Sequence, residues 1–75
     1  MAKKRASSEG VYRVIDVIGT SSVSWEDAAS KAVATASKSL RDLRIAEVTK
    51  LDMKVEEGKV VAYRARMQLS FKYEG

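Results

Sequence analysis

The sequence contains no cysteine and no histidine. Without cysteine there is no disulfide and no thiolate nucleophile; without histidine there is no imidazole base, and together the two absences exclude zinc. Serine is plentiful, but no G-x-S-x-G elbow surrounds any of the serines. Missing nucleophile–base pairs make a binding or structural role the expectation and an enzyme the exception. No apolar run is long enough for a membrane span, and no twelve-residue EF-hand pattern occurs.

The chain is short at 75 residues, enough for one small domain. A domain of this size buries only about 60% of the surface its unfolded chain exposes. Below roughly 70–80 residues a lone core supplies a few kcal/mol, and disulfides, a metal or partner subunits make up the rest. With the first closed off by composition, association of identical copies is the expected source of stability.

Fourteen basic residues against ten acidic ones give a net charge of +4. Lys3, Lys4 and Arg5 outweigh Glu9 and so carry half of that excess. Residues 1–10, MAKKRASSEG, have no apolar periodicity and are expected to form a disordered basic tail; 11–75 are expected to form the domain. The tail lacks the apolar stretch of a signal peptide, so the cytoplasm is the expected location. Nucleic-acid modules concentrate charge on a folded face, so this tail reads as a solvated terminus, with no nucleic acid or membrane among the partners.

The apolar pattern changes period along the chain. VYRVIDVIG, 11–19, is β-branched and closed by Gly19, which predicts a strand covered on both faces. Over 20–43 the period becomes helical: Trp25, Ala28, Ala29, Ala32, Val33, Ala36, Leu40 and Leu43 form one stripe. Ser24 is the expected N-cap, with Asp27 three places on as the partner of a capping box, and Lys38 and Arg41 near the helix end. Residues 44–55 predict a second strand, EEGK a hairpin turn with Gly58 at positive φ, and 59–73 a third strand. In the second strand the apolar phase slips near Thr49 and Lys50, as a β-bulge would produce.

The expected class is therefore α+β, in the order β-α-β-β, with a three-stranded antiparallel sheet packed on one helix. The second hairpin is unusually long. Strands of this length reach ~40–50 Å, whereas a helix of about twenty residues covers ~30 Å. The overhang and the sheet edges invite a partner subunit. On the third strand, Tyr63, Ala65, Met67, Leu69, Phe71 and Tyr73 share one side, with Arg64, Arg66, Gln68, Ser70 and Lys72 on the other. The aromatics thus project away from the arginines, which counts against a nucleic-acid stacking platform.

The order and spacing of Gly19-Thr20-Ser21, Ser24-Trp25-Glu26 with Ala28, Ala36-Ser37-Lys38, and Glu57-Gly58-Lys59-Val60 leading to Tyr63 resemble the dodecin family. The resemblance runs from Val11 to Glu74. It implies twelve identical subunits in a hollow shell of cubic symmetry, a homododecamer that stores a small-molecule ligand. In that family the ligand is a flavin such as FMN or riboflavin, stacked on a tryptophan of the second strand and assisted by a glutamine of the third. Those places fall on Ile45 and Arg64 here, and a phosphate-binding arginine of many members falls on Asp52.

Each departure has a physical meaning. Isoleucine offers area without a π face, worth ~1–3 kcal/mol in base stacking. Arginine replaces a donor–acceptor amide by a donor-only cation. Aspartate repels phosphate. The helix-start Trp25 reads as a packing residue. The candidate cofactor-binding residues are Ile45, Arg64, Glu47 and Gln68.

Arg64 and Arg66 suit the phosphate or carboxylate of a ligand, or pair with Glu47, Asp52 or a neighbouring copy. Family members without the tryptophan are associated with calcium, so a calcium-binding or purely structural shell is the alternative. Asp52 and Asp16 are its candidate ligands; Glu56 and Glu57 read as a solvated turn.

Overall fold

Three antiparallel strands form one sheet, and one helical stripe packs across them. The computed structural model describes residues 10–72; the tail expected at 1–10, apart from Gly10, and the expected end of the third strand at Tyr73 lie outside the described residues. The elements are β1 (Tyr12–Ser21), α1 (Trp25–Ser37), β2 (Leu43–Glu56) and β3 (Lys59–Lys72). β3 is the central strand in the order β1-β3-β2. It pairs with β1 from Tyr12↔Lys72 to Ser21↔Tyr63 without interruption.

The second pairing is irregular. β2 shifts register against β3 between Leu43 and Ile45, between Val48 and Lys50, and between Lys54 and Val55. The middle shift is the expected slip at Thr49, whose hydroxyl donates to the Arg66 carbonyl at 3.1 Å. At the hairpin tip Glu57 and Gly58 both take positive φ, 51° and 77°. That combination is a two-residue turn matched to the twist of the strands.

The helix is shorter than its apolar stripe predicts, 13 residues ending at Ser37. Lys38 bonds back to Thr35 and both Ser39 and Leu40 to Ala36, tightening the last turn, and the chain then reverses through Asp42 at φ 56°. Leu40 and Leu43 keep helical spacing, yet they reach the core from the turn and from the first residue of β2. Arg41 therefore lies beyond the helix, and no basic residue occupies its last turn.

The N-terminus is capped as expected by Ser24, which accepts from the Asp27 amide at 3.0 Å. The reciprocal half of the box differs. Asp27 accepts from the Ser21 hydroxyl at 2.6 Å and pairs with Lys31 at 3.1 Å. Buried Ser21 in turn accepts from the amides of Val23 and Ser24. Ser21 thus supplies the acceptor for the Ser24 amide that a closed box would have taken from residue 27.

The helix lies close to the sheet because Gly19 has no side chain. A Cβ there would overlap the Ala28 carbonyl oxygen and stand 3.0 Å from the Ala32 Cβ. Backbone on one side and a helix on the other leave nothing flexible to give way. Gly19→Ala is expected to cost about 1–3 kcal/mol by overpacking, seen as a lowered denaturation midpoint; an unchanged midpoint would show that the helix can ride outward freely.

The buried core is small: Ala28, Ala65, Met67 and Leu69. Around it, among the described residues, eleven large apolar side chains are exposed, including Val14, Ile18, Ile45, Val48, Leu51 and Met53. The face of β1 away from the helix is bare in one copy, although both faces were expected to be covered. The molecule measures 56 × 20 × 18 Å with a radius of gyration of 15.4 Å. A compact chain of this length would have about 11 Å. α1 spans only ~20 Å, and beyond the Ser21↔Tyr63 pair the hairpin continues as two strands with Val55, Val60 and Val61 exposed.

Candidate functional site

The odd residues of β3 turn towards the helix, so its even residues define an open face. Directly paired residues share that face and form rows across the three strands. The rows are Val14–Ser70–Ile45, Asp16–Gln68–Glu47, Ile18–Arg66–Lys50 and Thr20–Arg64–Asp52. This is the only face on which every candidate residue read from the sequence is found.

Arg64 and Asp52 form a fork. Arg64 Nε donates to Asp52 Oδ1 at 2.8 Å and Nη2 to Oδ2 at 3.0 Å, so both carboxylate oxygens are engaged. The hydrogen bond from Arg64 holds the Asp52 carboxyl below the ordinary carboxylate range, aided by the charges of Arg64 and Arg66, and the Arg64 guanidinium is raised in return. The Asp52 carbonyl is held as well, by Trp25 Nε1 at 3.0 Å. Trp25 meets Tyr63 edge-to-face, with centroids 5.1 Å apart and planes at 68°. One residue of β2 is therefore fixed on both faces of the sheet, and Trp25 is a packing residue.

A depressed carboxyl pKa gives a defined acid response. Asp52, and Asp27 beside Ser21 and Lys31, stabilise the fold above the ordinary carboxylate pKa, and this is lost as pH falls through their lowered values. The denaturation midpoint of the protein is expected to drop below about pH 4. Asp52→Asn lacks its share of that response, so the gap between variant and wild type narrows on acidification. A gap that stays constant from pH 7 to 3 would contradict this.

Among the described residues no hydrogen bond or ion pair engages the side chains of Asp16, Glu47, Gln68, Lys50 or Arg66. Asp16 and Glu47 flank Gln68 in one row, ~10 Å apart across two strand spacings. Asp52 lies two rows away from Asp16, ~14 Å along the strand, so the two candidate metal ligands do not meet within a copy. Nor do Ile45 and Arg64, which are ~20 Å apart. Ile45 is 57% exposed. Among the described residues no cluster of three carboxylates converges to hold a metal ion, and no helix is long and apolar enough to cross a membrane.

The order, lengths and central third strand of this sheet recur in known proteins. A sequence model of the Dodecin family matches residues 11–74. The chain belongs to the dodecin family. The calcium dodecin of Mycobacterium tuberculosis is 48% identical over 62 residues, covering 83% of this chain and 87% of that one. Its crystal structure, described as that of a calcium-chelating antigen with a novel calcium-binding site, matches with a TM-score of 0.77 over 87% of this chain and 93% of the other. Dodecin from Streptomyces coelicolor matches with a TM-score of 0.84 at 37% identity, covering 91% and 97%.

Within the dodecin fold, the candidate residues lie on the strands expected of them, and of the two roles expected for the arginines, ligand contact or pairing with an acid, Arg64 takes the pairing with Asp52. Arg66, read alongside it on the same side of the strand, has no ion pair among the described residues. The opposition of Lys50 and Arg66 was missed altogether. Its only sequence signal is the phase slip at Thr49, which brings an even-numbered lysine onto the face of Glu47.

Proposed function

We propose that this dodecin assembles from identical copies, twelve by family resemblance, into a non-catalytic store for a small ligand, and that the ligand is calcium. The single observation that carries the choice is the composition of the open face. Where the resemblance expects a stacking tryptophan there is exposed Ile45, while Asp16 and Glu47 on the same face present carboxylates that have no partner among the described residues. The 48% identical relative that bears calcium in its name supports the same reading.

Calcium takes six to eight oxygens at 2.3–2.6 Å. The Asp16–Gln68–Glu47 row offers carboxylate and amide oxygens spread over ~10 Å, too wide for one ion, so coordination is closed by the same residues of other copies around a symmetry axis. Asp52, forked by a guanidinium, serves the ion pair rather than the cation.

Calorimetric titration tests this directly. Calcium is expected to bind the wild type saturably, Asp16→Asn and Glu47→Gln to weaken it at least about tenfold, in line with charged-ligand contacts of 1.5–3 kcal/mol, and Asp52→Asn to leave it unchanged. A protein that ignores calcium but quenches added riboflavin fluorescence would replace this reading with flavin storage.

A further inference from the structure

We propose that Lys50 and Arg66 form a binding site for a phosphate group on the open face, separate from the residues assigned to calcium. The two residues are directly opposed across the β2–β3 pairing. Opposed side chains on one face start only ~4.5–5.5 Å apart, and like charges in that position destabilise a sheet. Each cation has a different neighbourhood from Arg64. Arg64 spends its fork on Asp52, whereas among the described residues no ion pair engages Lys50 or Arg66, and Asp52, the acid that Arg66 attracts through space, has both oxygens taken.

The backbone beneath is fixed rather than adaptable. The Thr49 bulge sets Lys50 opposite Arg66, and the Thr49 hydroxyl bonds the Arg66 carbonyl, so the pair cannot separate by a slip of register. Beside it is a concavity of about 540 Å³ lined by Asp16, Ile18, Thr49 and Arg66 among others. A guanidinium fork together with an ammonium point charge matches a phosphate dianion in geometry and in charge. Ligation converts the repulsion between the two cations into attraction to a shared anion.

The test is a thermal and calorimetric titration of the full chain with inorganic phosphate and, in a second arm, glycerol phosphate, at constant ionic strength set by chloride. Saturable binding is expected in both arms, with glycerol phosphate the tighter if an ester is the natural ligand. Lys50→Gln and Arg66→Gln each weaken it about tenfold or more. Lys31→Gln, an equal charge change at the helix surface, leaves it unaltered. In phosphate-free buffer the Lys50→Gln midpoint is at or above that of wild type, because a repulsion has been removed. Absence of saturable binding, or equal weakening by Lys31→Gln, would overturn the proposal.

Discussion

Leu51→Asp is expected to abolish the proposed assembly of identical copies. Leu51 is on the helix-side face of β2, flanked by Val48 and Met53, and it is 52% exposed in a single copy. The helix crosses β1 and β3 and leaves this stripe bare, with a groove of about 400 Å³ between Ala29, Val33 and Ala34 on one side and Ala46 and Val48 on the other. On the proposed self-association this stripe is where another copy completes the core. An unpaired carboxylate buried there costs several kcal/mol in each interface, repeated around the particle. Sedimentation should show the loss of the large species, with material that is unfolded or aggregated. A Leu51→Asp protein that sediments and melts like wild type would remove this face from the assembly.

Leu69→Ala is the second large effect. Leu69 is fully buried and is the largest side chain to be so. Two of the other three core residues are alanines, so no neighbour has volume to spare. Truncation of a buried leucine costs about 2–5 kcal/mol, a large part of the 5–15 kcal/mol typical of a whole domain. Leu69→Met keeps most of the volume and should cost under about 1.5 kcal/mol. Sole Trp25, packed on Tyr63, reports both transitions by fluorescence. Equal midpoints for the alanine and methionine variants would show that this core does not limit stability.

The strands, the hairpin tip and the helix start were legible because each depends on nearby residues. Period-two alternation marks β3, a β-branched run closed by Gly19 marks β1, positive φ at Gly58 needs only the glycine, and Ser24 caps residues three places away. The helix end was not legible, because Leu40 and Leu43 keep helical spacing while packing from a turn and a strand. The rows of the open face were legible only in part. They depend on where β2 shifts against β3, and one of the three shifts leaves a mark in the apolar pattern. The Asp52–Arg64 fork follows from that register, as does the Lys50–Arg66 opposition. Ser21 was illegible for another reason: it works through a loop of its own neighbours, where several serines in a row look alike.

Sedimentation velocity over a wide dilution series tests the central claim most directly. A protomer with so small a core and so much exposed apolar surface is expected to run as one large species near twelve times the 8.3 kDa chain, with folded structure and assembly lost together. A folded, stable species at the mass of a single chain would contradict it.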